Sequence, residues 1–138
     1  MKLKEIMTQE VEIVHTDDSV QTAAEKMRYR DIGFLPVYDG EQLIGVLTDR
    51  DIVIQVMAEG VDPKKRLRQD WITKPVVTCY DDQDVDEAAR LMEEHQIRRL
   101  VILGRDDERI VGVVSLGDLA KNVDDKKSGE VLQEVSEP

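Results

Sequence analysis

Apolar and polar positions follow the same order in two separate stretches of the chain. Short apolar runs at Val11 to Val14 and Val76 to Cys79 predict strands, each followed by acidic turn residues. Next, Val20, Ala23, Ala24 and Met27, and later Val85, Ala88, Ala89 and Met92, recur at i, i+3, i+4 and i+7, so each set is expected on the buried stripe of a helix. Ser19 and Asp84 stand at the N-cap positions, and Asp84 with Glu87 has capping-box spacing. Apolar runs Phe34 to Tyr38 and Leu43 to Leu47, then Leu100 to Leu103 and Ile110 to Val114, predict one hairpin in each stretch. The turns are Asp39-Gly40 and Gly104-Arg105-Asp106-Asp107. A second helix is expected from near Asp49, with Ile52, Val53, Val56 and Met57 inside, and from near Leu116, with Leu119 and Val123 inside. The order strand, helix, strand, strand, helix predicts an α+β fold whose sheets carry helices on one face and the other copy on the other.

The two stretches are one unit written twice. Thr8, Val11, Asp17, Val20, Ala23, Ala24, Met27, Ile32 and Leu35 fall on identical residues at an offset of 65, from Thr73 to Leu100. Beyond the hairpin turn the offset becomes 67, because the second turn is two residues longer, and Gly45 to Ile52 falls on Gly112 to Leu119. The expected division is a first repeat over 1–60, a linker over 61–70, a second repeat over 71–123 and an acidic, mobile tail over 124–138. Two copies of this length are too few for a solenoid and read instead as two subdomains.

Charge then narrows the partners. A formal net charge of -11 opposes generic binding to nucleic acid or to an anionic membrane, which needs clustered Lys and Arg. The single cysteine, Cys79, has no internal disulfide partner, and no run approaches the roughly 20 apolar residues of a spanning helix, so a cytoplasmic protein is expected.

The sharpest chemical signal is Thr48-x-x-Asp51 with its counterpart Ser115-x-x-Asp118, each closing a strand and opening a helix. An ordinary helix cap has this spacing. The same groups also suit a nucleotide, because the hydroxyl can donate to phosphate and the acceptor-only carboxylate fits a ribose diol. Recurrence at equivalent places keeps both readings open. Catalysis finds little support: His15 and His95 do not match across the copies, Cys79 has no evident base, and neither a metal-ligand spacing nor a Walker-type loop is present. The basic residues Lys64, Lys65, Arg66 and Arg68 are expected to form a solvated connection. Arg98 and Arg99 either pair with surface acids or receive an anion.

Taken together, Thr8 with the Val11 strand, the Ala23-Ala24 helix, Ile32 to Val37, and Gly45 to Ile52 resemble one cystathionine β-synthase (CBS) domain. Ile72 to Pro75, His95 to Leu100 and Gly112 to Leu119 resemble a second. The resemblance covers about residues 3 to 123 and implies a Bateman module of the stand-alone type, with the repeats packed by their sheets about a pseudo-twofold axis. It also implies two clefts for adenine nucleotides or related adenosyl ligands. Carried over by position, the first cleft joins Thr48, Asp49, Arg50 and Asp51 to Val76, Val77, Thr78, Arg98 and Arg99. The second joins Ser115 and Asp118 to Val11, Glu12, Ile13, Gly33 and Phe34, with Arg98 near the phosphates. Family members often carry a basic side chain where Gly33 stands, and Glu12 replaces the apolar counterpart Val77, so it either selects an amine-bearing base or spoils that pocket. The Arg-rich first cleft is the expected better anion site. Pro36, matched by Val101, is expected to alter strand geometry more than binding.

The implied function is a non-enzymatic regulatory module that senses AMP, ADP, ATP or a related adenosyl ligand, works as a homodimer without a permanent cofactor, and signals to an unidentified protein effector. The alternative is a ligand-free scaffold that acts through its dimer surface.

Overall fold

Ser19 and Asp84 open the two long helices as their residue types predict. The Ser19 Oγ accepts from the Thr22 N–H at 3.0 Å and Asp84 Oδ1 from the Asp86 N–H at 2.9 Å. These helices belong to a computed structural model that describes residues 1–122; Val123 and the tail expected over 124–138 lie outside the described residues. The elements are β1 (Val14–His15), α1 (Val20–Arg30), β2 (Phe34–Asp39), β3 (Gln42–Thr48) and α2 (Asp49–Asp51), which runs on as a π-helical segment, Ile52–Met57. Then come β4 (Thr78–Tyr80), α3 (Val85–His95), β5 (Arg99–Leu103), β6 (Ile110–Ser115) and α4 (Leu116–Asn122), with short 3-10 turns at Leu3–Glu5 and Gln69–Trp71. Two three-stranded sheets result, β1-β2-β3 and β4-β5-β6, each with a parallel first pair and an antiparallel hairpin. The α+β class and the repeated element order are those the apolar pattern predicts.

Several local expectations are corrected. The Asp84–Glu87 box does not form, because the Glu87 carboxylate turns to Arg90, at 2.5 Å. Ala24 is exposed although its counterpart Ala89 is buried; a single methyl at the edge of a stripe demands little cover. Val53 and Met57 also face outward, 53% and 70% exposed, while Val56 is buried at 1%. The wider π winding of this segment keeps Val56 inward and turns the residues beside it to the surface.

The first strands start later than the apolar runs. β1 pairs Val14 with Val37, whereas β4 begins one matching position earlier by pairing Thr78 with Val101. The missing pair in the first sheet would fall on Pro36, which has no N–H to give. The hairpin register is unaffected: Pro36 faces Val46 as Val101 faces Val113, with irregularities after Val37 and Ile102.

The compact units cut across the repeats. Glu12–Val76 forms one unit, and Met1–Val11 joins the chain from Val77 onward to form the other. Fully buried Leu3 sits in one core with Met92, Leu100 and Ile102, and Trp71 and Ile72 sit in the other with Val14, Leu35 and Leu47. The lead-in to each repeat therefore serves the hairpin of its counterpart. Thr73 exchanges backbone hydrogen bonds with Val46 at 2.8 and 3.0 Å, and Thr8 does so with Val113 at 2.9 and 3.0 Å. Close approach requires a glycine beside each bridge. A Cβ on Gly45 would lie 2.3 Å from Ile72 Cγ2 and 2.6 Å from the Thr73 carbonyl; one on Gly112 would lie 2.6 Å from Met7 Sδ and 3.0 Å from the Thr8 carbonyl.

Candidate functional site

Both Thr/Ser-x-x-Asp motifs form complete reciprocal boxes. The Asp51 N–H donates to Thr48 Oγ1 at 3.1 Å, and the Thr48 N–H donates to Asp51 Oδ2 at 3.0 Å. In the other unit the Asp118 N–H donates to Ser115 Oγ at 3.1 Å and the Ser115 N–H to Asp118 Oδ2 at 2.9 Å. Capping is thus their structural role, and it leaves chemistry in reserve. Each hydroxyl accepts a bond and keeps its own proton to donate, and each carboxylate engages its Oδ2 while Oδ1 has no partner among the described residues. Threonine 73, which sequence reasoning did not single out, adds a hydroxyl 3.4 Å from Asp51 Oδ2. Its signals were identity with Thr8 at the repeat offset and its place in the Ile72 to Pro75 stretch.

The corners beside the boxes differ in charge. The Asp49 N–H donates to the Gly33 carbonyl at 3.0 Å, and the Leu116 N–H donates to the Arg98 carbonyl at 2.8 Å, so the two corners are equivalent. In the first, the Asp49 carboxylate lies over the glycine, with Oδ2 2.7 Å from where a Cβ would be. In the second, leucine replaces that acid and Arg98 replaces the glycine. Arg50, Arg98 and Arg99 are exposed and form no ion pair with a described residue. Of the two readings of Arg98 and Arg99, pairing with surface acids is thus not realised among the described residues. Phe34 is half-buried opposite Thr48 in the hairpin.

On the strand side, Val11, Ile13, Val76, Val77 and Thr78 are all half-buried. Glu12 is occupied: Arg30 Nε lies 3.2 Å and Lys26 Nζ 3.6 Å from its carboxylate, and Lys26 also donates to the Ile13 carbonyl at 2.7 Å. The counterpart Val77 packs against an apolar core instead. Within single units the structure thus groups Thr48, Asp49, Asp51, Thr73 and Gly33, and groups Ser115 and Asp118 with Arg98. Among the linker basics, Arg68 pairs with neighbouring Asp70 at 2.6 Å, and Arg66 reaches back to Asp17, 49 residues away.

Cys79 is buried, and burial, helped by the nearby Glu87 charge, pushes its thiol up to about 11. A thiol so placed is a poor nucleophile. Among the described residues no group of three His, Cys, Asp or Glu side chains could hold a metal ion. No helix there is long and apolar enough to cross a membrane.

Two tandem α+β repeats, each ending its hairpin in a reciprocally capped helix start, define a paired-domain protein. The family model for the CBS domain matches residues 3–58 and 67–125, and the chain belongs to this family. It is 36% identical over 135 residues to the CBS domain-containing protein YhcV of Bacillus subtilis, covering 97% of this chain and 94% of that one. Hypoxic response protein 1 of Mycobacterium tuberculosis is 32% identical over 136 residues, covering 98% and 94%. A crystal structure of Hypoxic Response Protein I with two coordinated zinc ions superposes with a TM-score of 0.77 at 33% identity over 90% of this chain and all of that one. The CBS domain pair of protein MJ0100, in complex with 5'-methylthioadenosine and S-adenosyl-L-methionine, gives 0.74 at 26% identity over 88% and 94%.

Proposed function

We propose that this CBS pair is a cytoplasmic, non-enzymatic regulatory module that binds an adenosyl ligand, AMP, ADP, ATP or a relative, in two clefts built from both repeats. The observation that carries the reading is the duplicated box: at both helix starts a hydroxyl proton and a carboxylate Oδ1 remain available after capping is satisfied. The adenosyl ligands of the MJ0100 pair support the ligand class. In the first cleft Asp51 takes the ribose diol, Thr48 with Arg50, Arg98 and Arg99 takes the phosphates, and Val76, Val77 and Thr78 flank the base. In the second, Asp118 and Ser115 play the same parts with Arg98, and Val11, Ile13 and Phe34 flank the base. Signalling needs differential affinity: the ligand shifts the module only as far as it prefers one arrangement of the repeats, and a homodimer passes that preference to a protein effector.

A thermal-shift series with AMP, ADP, ATP and S-adenosylmethionine tests the reading. Ligand at 100 times its dissociation constant adds about 2.7 kcal/mol of stability. Calorimetry on Asp51→Ala and Asp118→Ala then assigns the clefts, and unchanged affinity in both variants sinks the ribose role. A second reading, a ligand-free scaffold acting through its dimer surface, rests on the boxes being complete caps without any ligand. It predicts no shift with any compound of the series.

A further inference from the structure

The corners beside the two boxes carry free charge of opposite sign. In the first, the exposed Asp49 carboxylate leans over Gly33, with Oδ2 2.7 Å and Oδ1 3.0 Å from where a Cβ would stand. Oδ1 accepts the Arg50 N–H at 2.8 Å, and the carboxylate forms no ion pair with a described residue. In the second, Arg98 stands at the place of Gly33, exposed and likewise without an ion pair among the described residues, and the place of Asp49 is taken by Leu116, whose side chain is buried in the core. Acid and arginine are thus alternatives at one corner. Asp49 fills the space that a side chain at position 33 would need, and it is present where that side chain is absent.

Capping does not require this acid. The second box closes with the same two bonds, at 3.1 and 2.9 Å, although leucine stands at the matching position. Asp49 directly follows Thr48, whose hydroxyl is the phosphate donor of the adenosyl reading, so on that reading its charge stands beside the phosphate chain. Every further phosphate then adds repulsion at Asp49 and attraction at Arg98. Discrimination between ligands rests on such a repulsive element as much as on an attractive one. We propose that Asp49 is the specificity-determining residue of the first corner and holds it to adenosyl ligands with a short phosphate chain, the monophosphate over the triphosphate. The second corner, with Arg98 in its place, takes the longer chain. The inference rests on the adenosyl reading above and adds a charge limit to it.

Calorimetry with AMP, ADP and ATP on the full chain tests it, with Asp118→Ala present so that the first corner alone reports. AMP is expected to bind more tightly than ATP there. Asp49→Asn keeps the shape of the side chain and an acceptor for the Arg50 N–H, and removes only the charge. It is expected to tighten ATP by about three- to fivefold and AMP by less than about twofold, the range of an exposed charge pair. That difference shrinks as salt rises. With Asp51→Ala present instead, the second corner reports: ATP is expected to bind more tightly than AMP, and Arg98→Gln to cancel the preference. If Asp49→Asn changes all three affinities by one factor, or lowers only the urea midpoint, Asp49 is a cap alone, and the charge limit falls while the adenosyl reading stands. A first corner that prefers ATP to AMP has the same consequence. Absence of binding by all three nucleotides in the unsubstituted chain overturns the adenosyl reading and the charge limit with it.

Discussion

The Thr73 hydroxyl lies 3.4 Å from Asp51 Oδ2, the oxygen that already accepts the Thr48 N–H, whereas the matching Thr8 makes no such contact with Asp118 among the described residues. The first box is thus buttressed by a segment about 20 residues away in sequence, and the second stands on its own cap. At 3.4 Å the buttress is near the limit of a hydrogen bond, so Thr73→Val is expected to cost less than about 1 kcal/mol. Asp51→Ala, which removes a side of the box, is expected to cost about 1 kcal/mol. Urea denaturation midpoints check the order; a Thr73→Val cost above that of Asp51→Ala would show the buttress to be the stronger element.

Gly45→Ala and Gly112→Ala offer a graded comparison. At Gly45 the new methyl meets Ile72 Cγ2 at 2.3 Å and the Thr73 carbonyl at 2.6 Å, and a backbone oxygen cannot step aside alone. At Gly112 the nearest atom, at 2.6 Å, is the sulfur of a flexible methionine, and the carbonyl is at 3.0 Å. Both substitutions are expected to destabilise by about 1–3 kcal/mol, with Gly45→Ala the larger. Equal midpoints for the two variants would refute the ordering.

Leu3 is fully buried in the core that holds Met92, Leu100 and Ile102. Leu3→Ala is expected to cost about 2–5 kcal/mol. Hydrogen exchange should accelerate most in α3 and β5, far along the chain from the substitution. Loss of protection centred on α1 and β2 would contradict the assignment of the lead-in.

Cys79 links stability to alkaline pH. Its thiol rises from 9.0 to about 11 in the folded chain, so the unfolded state loses its proton first as pH climbs. The stabilisation is present in full below pH 9 and is lost between about pH 9 and 11. Cys79→Ala should flatten the decline over that interval, and native protein at pH 8 should resist a thiol reagent until unfolded. Rapid native labelling would show the thiol to be accessible.

Periodicity made α1 and α3 legible because i, i+3, i+4 spacing translates directly into a buried face. The hairpins were equally plain, since continuous apolar runs flanked a turn. Three things were not. The start of β1 depends on a missing N–H at Pro36, a property of the neighbouring strand and not of Val11 to Val14. The outward turn of Val53 and Met57 depends on π winding, which the sequence pattern read as ordinary helix. The boxes at Asp51 and Asp118 were visible as motifs, yet Thr73 enters through a backbone bridge to Val46 that no local spacing encodes.

That bridge, its twin between Thr8 and Val113, and the cores they seal give the duplication a direction it cannot reverse. A single repeat released from the chain would carry a lead-in meant for another body and would lack the one that completes its own. The first is made whole by the chain that follows it, through Trp71, Ile72 and Thr73. What looks in the sequence like two interchangeable halves divides, as a folded body, beside Val11 and Val76 and not at the repeat boundaries.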